Sequence, residues 1–191
     1  MLDKEVNIDR RVKRTKQVLK DAIVSLMAEK DFNNITVQDI TRVADVNRAT
    51  FYSHYQDKID LIRKTVEEIL NELEAILIEN IEKSSNQNTD WLRSYDLLAL
   101  NFKHLKQHSN FYTVMLSSNR YPRFWKRLYK IFYHATNSNV ESIYSDDIPQ
   151  DILNGYILGA YFGVMIQWLK KGMPYTPEYM AEKLTNIKTV I

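Results

Sequence analysis

Thr36-Val-Gln-Asp-Ile-Thr-Arg-Val-Ala-Asp-Val-Asn-Arg-Ala-Thr-Phe-Tyr-Ser-His-Tyr-Gln-Asp-Lys58 reads as two short helices joined by a tight turn. Thr36 caps the first helix, and Asp39, three residues on, completes a capping box with Asp in place of the usual Glu. Val37, Ile40 and Ala44 face inward. Asp45-Val46 is the turn, and Asn47 can cap the second helix, residues 47–55. There Phe51 and Tyr55 fall inside, while Arg48, Thr50, Tyr52 and His54 fall outside. A compact helical pair with a polar, partly basic outer face suits the major groove of DNA.

The outer residues divide by chemistry. Arg48 has the planar fork that fits guanine O6 and N7. Gln38 and Thr50 are further candidate base readers, Thr50 through a base methyl or a phosphate. Thr36, Tyr52, His54 and Lys58 are expected to position the duplex through its phosphates, with the capping Asn47 among the DNA-contacting set. Lys58 opens the next helix, where free backbone amides already favour an anion. Upstream, Arg10 to Lys20 holds six basic residues, Arg11 and Arg14 among them, and no acidic one. A basic stretch beside a helical pair is the electrostatic footprint of a nucleic-acid binder.

The remaining chain reads as all-α. Val18, Leu19, Ala22, Ile23, Leu26 and Met27 recur at helical spacing, predicting a helix over 11–30. Asp57 caps a long helix over 58–83, and Ser84-Ser85-Asn86-Gln87-Asn88-Thr89 is a loop. Further helices are expected over 90–107, 110–117 and 121–144. Asp146-Asp147-Ile148-Pro149 opens another, which Gly172 and Pro174 end. Thr176-Pro177-Glu178 starts the last, giving nine helices and no strand. Only four Gly and four Pro among 191 residues agree with long helices and argue against a turn-rich β fold. Cysteine is absent, which excludes disulfides and thiolate chemistry, and the charged N-terminus lacks the apolar core of a secretory signal. A cytoplasmic protein is therefore expected.

From about Thr15 to Ile62 the sequence resembles the TetR family of bacterial transcriptional regulators. The resemblance rests on Ile-Thr-Val-Gln-Asp-Ile, the Ala-Asp-Val turn, Asn-Arg-Ala-Thr-Phe-Tyr-Ser-His-Tyr, and Asp-Lys-Ile-Asp-Leu-Ile. One departure is Asp45, where the family usually has Gly; Asp tolerates the left-handed conformation better than most residues. The resemblance implies a nine-helix, two-domain architecture: an N-terminal three-helix DNA-binding domain, residues 1–57, and a C-terminal helical domain, residues 58–191. It further implies a homodimeric repressor on double-stranded DNA, released from a palindromic operator by an effector. By motif position it places Thr36, Gln38, Arg48, Thr50, Tyr52, His54 and Lys58 on the DNA. Residues 168–180 and the stretch Phe111-Tyr112…Leu116-Ser117-Ser118-Asn119 are similar to the dihydroxyacetone-kinase-regulator-like subset. Part of that subset acts through protein partners, so a co-activator working by protein–protein contact is the alternative.

Residues 152–169 are apolar all round, and such a helix must be covered on every side. Gly155, Gly159 and Gly163 stand at four-residue spacing and permit close backbone approach. A dimer interface is expected from this helix and 177–190, including Trp168 and Met180. Two-fold pairing would match paired half-sites on DNA. The same segment is slightly short for a bilayer span of roughly 20 residues. Its Tyr156 and Tyr161 lie mid-segment, not at the ends, so no membrane role is expected.

Trp91, Tyr95, Phe102, Tyr112, Trp125 and Tyr129 belong to an aromatic set that could line an effector pocket or simply pack the core. Arg120, Arg123, Lys126, Arg127 and Lys130 form a basic run best read as a solvated helix face. His104 and His108, four apart, could face one metal ion, but no third ligand stands at motif spacing. Neither metal nor cofactor is expected. No phosphate-binding loop or nucleophile motif occurs, so the chain is not expected to be an enzyme.

Overall fold

A computed structural model describes residues 2–83, 94–117, 122–137 and 148–187, with side chains placed over 10–78, 94–117, 123–136 and 148–187. Among the described residues there are nine α-helices and no strand. The expected loop at 84–89, the Asp146-Asp147 helix opening, Trp91 and Arg120 lie outside the described residues. The chain divides into two compact units, Met1–Glu68 and Ile69–Ile191.

The first unit begins with α1 (Leu2–Glu29), so the basic stretch Arg10–Lys20 is helical. A 3₁₀ turn, Phe32–Asn34, follows, with the Asp31 carboxylate accepting the Asn33 N–H at 3.0 Å. Next come α2 (Val37–Val43), α3 (Arg48–Tyr52) and the first part of α4 (Lys58–Lys83). Leu19, Ile23, Ile35, Ile40, Phe51, Leu61 and Ile62 are buried together. They come from all four helices and from Ile35 before α2, so each helix contributes its apolar face to the core of this unit. Between α2 and α3, Val46 N–H donates to Thr41 O at 3.0 Å and Asp45 N–H to Arg42 O at 3.3 Å. This paired pattern is a Schellman ending, which needs a left-handed residue. Asp45 supplies it with φ of 52°.

The second unit holds the rest of α4 with α5 (Tyr95–Gln107), α6 (Ser109–Ser117), α7 (Pro122–Asn137), α8 (Gln150–Lys170) and α9 (Pro177–Ile187). Helix α5 packs on α9, and α8 packs on α6 and α7. Edge-to-face rings fill the core, such as Phe102 against Trp168 at 5.1 Å and Phe111 against Phe124 at 5.7 Å. Helix α8 opens with Pro149 at its cap and closes at Gly172, whose φ of 72° completes a second Schellman ending. Of the described helices, α8 alone is long and apolar enough to cross a membrane, and half of its apolar window is buried inside the unit. It is a core helix on that face. Leu153, Ile157, Leu158, Tyr161, Phe162, Met165, Trp168 and Leu169 are buried, while Ile152, Gly155, Tyr156, Gly159, Ala160 and Gly163 are exposed.

Candidate nucleic-acid interface

The local chemistry of 36–58 builds the surface. Thr36 accepts the Asp39 N–H at 3.1 Å, and Asp39 in turn accepts the Thr36 N–H at 2.9 Å, which starts α2 as a full capping box. The Lys30 ammonium, 2.9 Å from Asp39, leads the groups that hold this carboxyl well below the usual carboxylate range; the Thr36 N–H and hydroxyl add to it. Asn47 caps α3 by accepting the Thr50 N–H at 2.7 Å. The buried side of α3 carries Phe51, and Tyr55 just beyond it is buried too. Burial, then the nearby Glu68 and Asp60 carboxylates, push the Tyr55 phenol up to about 12.

With Phe51 and Tyr55 fixed inward, the opposite flank faces outward. Asn47, Arg48 and Tyr52 are exposed, and Thr50 and His54 are half-buried. The Arg48 Nη2 lies 3.2 Å from the Tyr52 hydroxyl. Gln38 is exposed on α2, and Arg11 and Arg14 are exposed on α1. The Thr36 and Thr50 hydroxyls donate internally, to Asp39 at 2.8 Å and to Asn47 at 2.9 Å. The Thr50 oxygen and methyl remain for a partner, whereas the Thr36 oxygen already accepts the Asp39 N–H, and a phosphate would have to displace the two internal donations.

Lys58 sits differently from the expectation of a phosphate contact. Its ammonium donates to Ile35 O at 2.7 Å, Phe32 O at 2.8 Å and Asn33 O at 3.0 Å. Three donors meet three carbonyls, so in this geometry Lys58 fastens the 3₁₀ turn to the start of α4. Asp60 ends the segment. The Lys64 ammonium, joined by the Gln56 N–H and the Arg63 guanidinium and opposed by burial, lowers its carboxyl to about 2.

In the second unit the expected residues separate. Gly155, Gly159 and Gly163 lie on the exposed flank of α8, and a Cβ added at any of them would meet nothing within 4 Å among the described residues. Trp168 and Met180, expected in the same interface, lie inside the subunit instead. Trp168 packs on Phe102 and donates its indole N–H to Tyr175 O at 3.1 Å. Met180 is buried on the inner face of α9. The residues of the expected aromatic set that the structure describes differ in their surroundings. Phe102 and Tyr112 are fully buried core residues, while Tyr95 and Tyr129 are exposed and Trp125 is half-buried against Phe162.

An open cleft of about 530 Å³ lies elsewhere, walled by Glu72, Ile76, Leu100, Lys103, His104 and Gln107. Beside it, His108 Nε2 is 3.0 Å from a Glu72 carboxylate oxygen, and His104 Nε2 is 3.1 Å from the Tyr112 hydroxyl. Burial, with His108 next to it, lowers the His104 imidazole to about 4. Glu72 is the residue that sequence spacing could not find, because it stands on α4, thirty-six residues before His108.

An N-terminal helix pair that buries its aromatics and exposes Arg48 and Tyr52, followed by a larger helical unit, defines a helix-turn-helix regulator. The comparisons with known proteins agree. Residues 19–65 match the family model described as bacterial regulatory proteins, tetR family, and residues 92–189 match a model described as transcriptional regulator C-terminal region. The chain is similar to an uncharacterized HTH-type transcriptional regulator, YxbF, of Bacillus subtilis, at 28% identity over 98% of this chain and 48% of that one. It thus spans about half the length of that relative. It is similar also to the biofilm operon icaADBC HTH-type negative transcriptional regulator IcaR of Staphylococcus epidermidis, at 31% identity over 34% of this chain and 35% of that one. Among solved structures, a TetR transcriptional regulator from Streptococcus agalactiae aligns with TM-score 0.61 and 28% identity, covering 96% of this chain and 98% of that one. The chain belongs to the TetR family of bacterial transcriptional regulators, a family of regulators and not of enzymes.

Proposed function

We propose that the protein is a sequence-specific repressor that binds a palindromic operator as a homodimer and is released by an effector held in its C-terminal domain. Residues 1–57 read the DNA, and residues 58–191 carry dimerisation and effector response. The observation that carries this reading is the orientation of α3: Phe51 is fully buried, while Arg48 and Tyr52 face solvent one helical turn apart. Arg48 is then the base reader, with Gln38 and Thr50 beside it, and Asn47, Tyr52, His54, Arg11 and Arg14 position the duplex.

The exposed flank of α8 supports pairing of two copies. Ile152 and Tyr156 expose about 60% of their surface in the single chain, beside three glycines that leave the backbone open. A second subunit covering this flank would supply the second copy of α3 that a two-half-site operator needs, with half-sites about 34–36 Å apart when one turn separates them. Repression as the sign of control is supported by the negative regulator IcaR, similar over about a third of this chain. The setting is the cytoplasm, where such an operator lies.

Selection of binding sites from random duplex DNA with the purified protein tests the proposal. An enriched inverted repeat, bound by two subunits, is the expected result. Enrichment of a single unrepeated site, or none, would overturn it.

A further inference from the structure

We propose that Glu72, His104 and His108 form a binding site for a divalent transition-metal ion of the zinc type. His104 and His108 stand one turn apart on α5, with ring centroids 4.7 Å apart. Glu72 reaches them from α4. One ligand atom from each residue lies within 4.8 Å of the others. Ligands of a tetrahedral zinc ion stand about 2.1 Å from the metal, hence roughly 3.4 Å from one another. Side-chain rotation of about 1 Å therefore closes the cluster on an ion.

The donor set selects the ion. Two imidazoles and one carboxylate suit zinc, cobalt or nickel, whereas magnesium and calcium take oxygen ligands. Three protein ligands leave a fourth position open, and the cleft walled by Glu72 and His104 supplies the access. The Tyr112 hydroxyl, itself fully buried, orients the His104 ring at 3.1 Å in the way that outer groups orient metal-ligating histidines. Lys103, also in the cleft wall, would repel a cation, but its ammonium is paired with Glu178 at 3.1 Å. Entry of the ion replaces the His108–Glu72 contact and joins α5 to α4 through metal bonds.

The test uses full-length protein without an affinity tag, freed of metal by a chelator and titrated with Co²⁺, then Zn²⁺. The expected result is one Co²⁺ per chain with the visible absorption of low-coordinate cobalt, displaced by Zn²⁺, and a melting temperature that Zn²⁺ raises and Mg²⁺ does not. Glu72 is exposed and His108 half-buried, so Glu72→Gln and His108→Ala leave the core filled. Both variants should keep the metal-free circular dichroism spectrum of the wild type. Each should bind Co²⁺ at least about ten-fold more weakly, the lower bound seen even for outer-shell losses. Absence of Co²⁺ binding by the wild type, or binding undiminished in both variants, would overturn the assignment.

Discussion

The Arg48 guanidinium donates to the Tyr52 hydroxyl at 3.2 Å and lies 5.5 Å from the centre of the Tyr52 ring. The two residues are four apart, so the tyrosine holds the arginine along the outer face of α3 before any partner arrives. Holding a long side chain in place reduces the entropy lost when it binds.

Arg48→Ala should therefore weaken binding to the selected operator by about 1–3 kcal/mol and relax the preference at one position in each half-site. Tyr52→Phe keeps the ring and removes the hydroxyl, so its effect should be smaller. Fluorescence anisotropy on operator and scrambled duplexes measures both. Equal losses on the two DNAs would remove Arg48 from the base-reading role.

Lys58→Ala should lower folding stability by about 1–3 kcal/mol, because three carbonyls lose a charged donor. Urea denaturation reads the change. If stability holds while the slope of log affinity against log salt falls by about one, Lys58 contacts phosphate instead.

Gly159→Leu tests the exposed flank of α8. A Cβ there meets nothing within 4 Å among the described residues, and leucine favours helix over glycine, so the single chain should stay folded. A close-packed partner would be overpacked at a cost of about 1–3 kcal/mol per copy. Sedimentation should show dimer dissociation strengthened at least about ten-fold. An unchanged dimer would move the interface elsewhere.

Asp60 predicts an acid limb in stability. Its folded pKa is depressed to about 2 from an ordinary value near 3.8. The stabilisation is thus fully present above about pH 4 and is lost as pH falls toward 2. Asp60→Asn should flatten the stability profile in that window, measured by denaturation midpoints at several pH values. A wild-type slope retained in the variant would place the acid sensitivity on other groups.

Local chemistry made the N-terminal unit legible. The Thr36 and Asn47 caps, the left-handed Asp45 turn and the inward pair Phe51 and Tyr55 depend on residues within five positions of each other. Sequence pattern resolves such short-range geometry well. Lys58 was less legible, since its partners Phe32, Asn33 and Ile35 lie more than twenty residues upstream. The aromatics of the second unit illustrate the same limit. Helical spacing placed Phe102, Tyr112 and Tyr129 on helices, but tertiary packing decided that the first two fill the core and the third faces solvent. Glu72 joined His104 and His108 only through the approach of α4 to α5, which no local spacing encodes.

In the proposed complex the outer face of α3 reads bases. Methylation interference on the selected operator, run in parallel with wild-type protein and Arg48→Ala, addresses it most directly. Methylating guanine N7 at one symmetric position in each half-site should block the wild type and leave the variant unaffected. Interference that is identical for the two proteins, or absent from the major groove, would contradict it.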